Sequence, residues 1–117
     1  MTNQIVTRWH LKYARPAVEQ FESAYTPSEL DQLIAAHIDP DPGGHGVSEA
    51  VTRERNVSVW ALIGYLEAVE GDLEKLASGY CLSVDAARAA VAFYGRYRQA
   101  IQARLLINNP ELVEVSD

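Results

Sequence analysis

Arginine side chains towards the carboxyl end of this chain are the residues whose type and spacing could do chemistry. Between positions 83 and 107 there are four arginines and one acid, a local balance of +3 in a 117-residue chain whose formal net charge is −6. Guanidinium groups bind phosphate oxygens and guanine edges, so this segment could bind nucleic acid. The rest of the chain carries −9, and that acidity opposes nonspecific attraction to phosphate.

Catalytic and metal-binding patterns are weak by comparison. His37, Asp39 and Asp41 alternate along the chain, but two intervening prolines and the lack of a fourth donor argue against a metal site. Residues 43–46, Gly-Gly-His-Gly, lack the lysine of a phosphate-binding loop and indicate a flexible connector. No local signature places a serine or Cys81 beside a histidine, and we interpret this single cysteine as a buried thiol. We therefore predict a protein that is not an enzyme and uses no metal or cofactor.

A long helix is predicted to position the arginines. It begins after Ser83, a good capping residue, and runs towards Ile107 before Asn-Asn-Pro ends it. At 100° per residue Arg88 and Arg96 project from the side opposite the apolar stripe, which predicts a basic face that is free for a partner. The stripe comprises Val84, Ala87, Val91, Tyr94, Ile101 and Leu105.

A shorter helix precedes it, and the two predict a helix-turn-helix unit. The first helix extends over residues 72–78, Gly79 ends it, and Leu82 fills the corner before the second helix. The second helix of such a unit can enter a DNA major groove. One corner of an ordinary helical bundle fits the same spacing equally well, and both interpretations stay open.

If the second helix reads DNA, its first two turns supply the contacts. We predict contacts from Ser83, Asp85, Ala86 and Arg88, with Arg88 on guanine or phosphate, while Arg96 lies too far along for base edges and would contact phosphate or an acidic partner. A solvated helix face is the alternative for all of these arginines. No stacking platform for single strands is expected from the aromatic residues of this helix, whose spacing favours a core or a dimer seam.

The remaining elements are predicted from helix-capping residues and from the prolines and glycines that interrupt helices. Residues 4–14 alternate partially and could form a short strand or an arm, after which Pro16 lies in the first turn of a helix ending near Tyr25. Thr26 and Glu29 predict a capping box for a helix from Pro27 to about residue 37. Asn56 or Ser58 then caps a helix with apolar residues Trp60, Leu62, Ile63 and Leu66, on which Glu67 and Glu70 are ordinary solvated acids.

These elements predict an all-α fold in four segments. Residues 1–38 form an amino-terminal extension for dimerisation or partner binding, 39–56 a proline- and glycine-rich linker or loop, 57–107 the helix-turn-helix domain and 108–117 a tail. There is no apolar run of membrane-spanning length and no signal-type amino terminus, so we expect a cytoplasmic protein with no membrane contact.

Part of the chain also resembles a known family. From about residue 37 to residue 105 it is similar to the bacterial family called domain of unknown function 433, on the residues Val57–Ile63, Gly71-Asp72, Leu76-Ala77, Tyr80–Ser83 and Ala89–Tyr94 with Ile101. The resemblance implies a homeodomain-like helical fold and a VapB-type antitoxin paired with a toxin resembling a PIN-domain nuclease. Many members carry Gly-Thr-Arg where this chain has Glu54-Arg55-Asn56, so no role of that loop is transferred, and residues 1–36 lie outside the resemblance.

Two functions follow as expectations. The first is a homodimeric, DNA-binding antitoxin that represses its own operator through the Ser83 helix and neutralises a PIN-like nuclease. The second, favoured by the net acidity, is a protein-interaction module with a helix-turn-helix shape that does not bind DNA.

Overall fold

The computed structural model describes residues 11–108, and most of these residues lie in six α-helices, with one two-stranded sheet beside them. The predicted helical fold is therefore confirmed, and the small sheet is an addition to it. Residues 4–10 of the predicted strand or arm lie outside the described residues. The elements are α1 (Ala14–Ala24), α2 (Pro27–His37), β1 (Ile38–Asp39), a 3₁₀ turn (Val47–Glu49), β2 (Val51–Thr52), α3 (Val59–Ala68), α4 (Leu73–Gly79), α5 (Val84–Arg96) and α6 (Arg98–Asn108).

Local capping sets the boundaries of the first two helices. Pro16 lies in the first turn of α1, and the helix ends one residue before Tyr25, as predicted. At the start of α2 the Thr26 hydroxyl accepts from the Glu29 amide at 3.1 Å, and the Glu29 carboxylate accepts from the Thr26 amide at 2.8 Å. The predicted capping box is thus confirmed, because both partners lie within one turn of each other.

Residues 38–58 form a loop region that contains two short strands and one 3₁₀ turn, and Ile38 and Ala50 of this region are buried in the core. β1 pairs antiparallel with β2, with Ile38 opposite Thr52, and an isolated bridge joins Val51 to Ser58. Thr52 is fully buried, and its hydroxyl donates to the Glu54 carbonyl and accepts from the Val57 amide, so its polar atom is satisfied. The glycines and prolines of this stretch make the turns between these short elements.

Helix α5 lies at the centre of the molecule. It contacts α1, α2, α3, α4, β1 and α6. Eight of its thirteen residues are buried, and the five alanines among them let the neighbouring helices approach closely. Gly95 serves the same purpose, since a Cβ there would lie 2.8 Å from Cγ1 of Val18 on α1. The segment predicted as an extension thus shares one core with the predicted helix-turn-helix domain.

The prediction of a single long helix from residue 83 to residue 107 is wrong. The chain leaves helical geometry at Tyr97 (φ −126°, ψ 46°), which separates α5 from α6. An unbroken helix of this length would be about 36 Å long. The bend turns Ile101 and Leu105 of α6 back towards α3, where both are buried. The other predicted stripe residues are also buried except Val84, which is partly exposed.

Candidate functional site

A short turn joins α4 to α5 at the position where the sequence predicts a helix-turn-helix unit. Asp72 caps α4 by accepting from the Lys75 amide at 3.1 Å, and the Ser83 hydroxyl caps α5 by accepting from the Ala86 amide at 3.1 Å. Between them Leu82 donates to the Ala77 carbonyl at 2.9 Å and is buried in the corner. This bond, together with the one that the preceding amide of Cys81 donates to the Ser78 carbonyl at 3.2 Å, closes α4 as a Schellman motif.

The residue in the left-handed conformation at this corner is Cys81 (φ 57°), not Gly79. Gly79 is the last residue of α4, and a Cβ there would lie 2.6 Å from the Tyr65 ring, so the glycine permits close packing. Cys81 is exposed, and the prediction of a buried thiol is wrong. The C′ position of a Schellman motif projects from the end of the helix, which leaves its side chain in solvent.

The amino terminus of α5, where DNA contacts were predicted, is already occupied by a carboxylate. The Ser83 amide donates to Oε1 of Glu54 at 3.0 Å, and the Ser83 hydroxyl donates to Oε2 at 2.9 Å. These two hydrogen bonds lower the pKa of Glu54, so the group stays ionised at neutral pH. Sequence reasoning missed this contact because 29 residues separate the partners.

The other predicted contact residues are placed as follows. Ala86 is fully buried and offers no surface to a ligand, so the prediction that it contacts DNA is wrong. Asp85 is exposed and Arg88 is half-buried, and the two side chains pair with each other at 2.9 Å. The Arg96 guanidinium pairs with Asp31 at 2.6 Å and donates to a backbone carbonyl of α2. The predicted free basic face is therefore neutralised by local acids.

The last two arginines of the segment, Arg98 and Arg104, are also paired or partly buried. Arg104 pairs with Glu49 at 2.8 Å and lies 5.2 Å from the Trp60 ring, a cation–π distance. The Nε atom of Arg98 is buried without a hydrogen-bond partner among residues 11–108. Three of the four arginines behind the local charge of +3 thus have an acidic partner within the same protein.

A groove lies on the opposite end of α5, where α2, the sheet and the α5–α6 bend meet. It encloses about 300 Å³. Its apolar lining includes Ile34, Pro40 and Tyr97, and the guanidinium groups of Arg53 and Arg96 and the carboxylate of Asp31 border it. Tyr97 is 43% exposed and its ring packs on Phe93 with centroids 4.7 Å apart. Arg96 was predicted as a site residue but this groove was not, because the lining residues come from four separate segments of the chain.

Arg53 is held at the rim of this groove by its own backbone and side chain. Its amide donates to the His37 carbonyl at 2.8 Å, and its Nε donates to the Ala35 carbonyl at 3.1 Å. The side chain is exposed, and its terminal nitrogens have no hydrogen-bond or ion-pair partner within the described part of the chain. This leaves a positioned, charged donor pair that faces solvent.

The acids that alternate with prolines serve the loop that contains them. Asp39 accepts from the Asp41 amide at 3.3 Å, and Asp41 accepts from the Gly46 amide at 2.9 Å. In residues 11–108 no three histidine, cysteine or acidic side chains are grouped as a metal ion would need. Over the same residues, no helix combines the length and apolar character needed to cross a bilayer.

The fold and site therefore define a small, mostly helical protein in which a short turn joins α4 to α5, the central helix of the core. A comparison of the chain with models of known protein families, with curated protein sequences and with solved structures finds no match in any of the three.

Proposed function

We propose that this protein acts in the cytoplasm by binding another protein and that its Ser83 helix does not read DNA. The observation that carries the proposal is the carboxylate of Glu54, which takes both the amide and the hydroxyl of Ser83. An anion at a helix amino terminus occupies the place where a DNA phosphate would be bound. The paired arginines support the same conclusion, because a cation that already has an acidic partner adds little attraction to a phosphate backbone.

The resemblance to the domain of unknown function 433 suggests the kind of partner. Its implied role is that of an antitoxin bound to a PIN-like nuclease, and an antitoxin can neutralise its toxin by protein contact alone. We therefore propose a nuclease toxin of that kind as the partner.

The test is co-expression with the product of the adjacent open reading frame. A stable complex on size-exclusion chromatography, together with no retardation of the upstream DNA at low salt, is the expected result. If this chain elutes alone and leaves the nuclease activity of the neighbouring protein unchanged, the proposal fails.

A second candidate is the homodimeric, DNA-binding antitoxin. It is favoured by the short turn between α4 and α5 and by Arg88, whose side chain is 40% exposed on the second turn of α5. In this case the upstream region should give a salt-dependent complex in gel-shift titration, which Arg88→Ala weakens and Arg15→Ala, an exposed arginine on α1, does not. Glu54→Gln should strengthen that complex, because it removes the carboxylate from the helix amino terminus. A shift that ignores both substitutions would argue against DNA reading by α5.

A further inference from the structure

The groove between α2, the sheet and the α5–α6 bend combines an apolar floor with one net positive charge at its rim. Arg53 has no ion-pair partner among residues 11–108, whereas Arg96 is paired with Asp31. About 300 Å³ is the lower end of the range for ligand pockets and suits one bulky side chain better than a large cofactor. Ile34 and Pro40 supply aliphatic surface. Tyr97 supplies an exposed aromatic ring that is held in place by packing on Phe93. Such a rigid aromatic residue beside a pocket is typical of the anchors of protein interfaces.

The charged groups at the rim favour a ligand that carries a negative charge. Arg53 points free terminal nitrogens at solvent next to the groove, and its Nε bond to Ala35 limits the freedom that binding would have to remove. A guanidinium in this state binds a carboxylate through two parallel hydrogen bonds. Arg96 adds positive charge but is paired with Asp31 at 2.6 Å. That acid disfavours a polyanion such as a nucleic-acid backbone more than it disfavours a single carboxylate.

We propose that this groove binds an acidic peptide segment of the partner protein. A branched aliphatic or aromatic side chain of the segment lies between Ile34 and Tyr97, and a neighbouring carboxylate is held by Arg53. The inference rests on the proposed protein-binding function and names the surface and the chemistry of the partner.

The first experiment measures fluorescence anisotropy of a labelled Gly-Glu-Leu-Leu-Glu-Gly peptide with the full chain. Arg53→Gln and Tyr97→Ala should each weaken binding by about tenfold, in line with the loss of a charged hydrogen bond or of an aromatic anchor. Arg55→Gln is the matched control, since it removes the same charge from an exposed side chain two positions away and should change affinity by less than about twofold. Replacing glutamate with glutamine in the peptide should have the same effect as Arg53→Gln.

Circular dichroism checks that each variant is folded, and Arg53→Glu provides a second variant that leaves the apolar lining intact. If Arg53→Gln and Arg55→Gln lose the same amount of affinity, the binding is nonspecific electrostatic attraction and the proposal is overturned. Absence of binding by the unmodified chain would also overturn it, as would displacement of the peptide by a single-stranded oligonucleotide. Tighter peptide binding after deletion of residues 109–117 would show that this chain's own acidic segment is the occupant, which excludes the partner segment.

The second experiment separates this inference from the proposed function. A complex with the neighbouring protein that Arg53→Glu and Tyr97→Ala leave intact would overturn the groove as the docking surface while the protein-binding function stands. Specific peptide binding in the absence of that complex would support the groove and remove the proposed partner.

Discussion

Replacing Glu67 with alanine tests whether one carboxylate fastens α1 to the core. Glu67 lies on α3, and its two oxygens accept from the backbone amides of Lys12, Tyr13 and Ala14 at 3.0, 2.8 and 2.7 Å. These amides are at the start of α1, where a helix has no internal acceptors for its first donors. The expectation of an ordinary solvated acid is therefore wrong for Glu67, which caps a helix from a different element.

The magnitude follows from which amides water can reach after the substitution. The Lys12 amide is exposed and regains a hydrogen bond to solvent, whereas those of Tyr13 and Ala14 are partly buried. Leaving a buried donor unsatisfied costs about 1–3 kcal/mol. Two such donors, discounted for partial exposure, predict a loss of about 2–4 kcal/mol. For a domain of this size the melting temperature should fall by roughly 8–16 °C.

Urea unfolding followed by far-ultraviolet circular dichroism measures this loss. Glu19→Ala is the matched control, because it removes the same charge from an exposed position on α1 and should change the free energy of unfolding by less than about 0.5 kcal/mol. Glu67→Gln should lie between the two, since an amide oxygen is a weaker acceptor than a carboxylate. If Glu67→Ala is as neutral as Glu19→Ala, the capping argument is refuted.

Three further predictions concern other positions. Cys81→Gly should raise the free energy of unfolding by roughly 1 kcal/mol, because Cys81 has φ 57°, while Cys81→Ala should not; a lower urea midpoint for the glycine variant would contradict this. Gly95→Ala should lower the free energy of unfolding by roughly 1–2 kcal/mol in the same assay, because the new Cβ would lie 2.8 Å from Cγ1 of buried Val18. Adding Val18→Ala to this variant should recover part of the loss. Hydrogen bonds from Ser83 lower the pKa of Glu54 below its ordinary 4.5, so the stabilisation by the Glu54 carboxylate is present at neutral pH and lost as the pH falls through that lowered pKa. The difference in unfolding free energy between the unmodified chain and Glu54→Gln should therefore shrink between about pH 7 and pH 3. A difference that stays constant over this range would count against the role of Glu54.

Much of the helical layout could be predicted because its signals are local. The capping box of Thr26 and Glu29, the Asp72 cap and the Ser83 cap each join atoms within three residues along the chain. Such contacts form with any tertiary arrangement that tolerates a helix there, so residue order alone indicates them. The same holds for the start of α2 at Pro27, which suits the first turn of a helix.

The candidate site could be predicted only in outline. Arg88 and Arg96 were found from their helical positions, but their acidic partners were not weighed against them, and Asp31 is 65 residues away from Arg96 in the chain. The groove was not found, since Arg53 and Tyr97 carry no motif and meet only after the helices pack.

By itself the amino-acid sequence determined the helical class, most caps and the apolar stripe that continues through α5 and α6. Tertiary structure alone decided that α5 is enclosed by its neighbours, that Glu54 covers its amino terminus and that the chain bends at Tyr97. The physical reason is the distance along the chain over which each contact acts. A helix cap joins groups within one turn, so local sequence indicates it. A buried helix face, a distant ion pair and a bend towards the core form only when separate segments of the chain pack together and satisfy one another's hydrogen bonds.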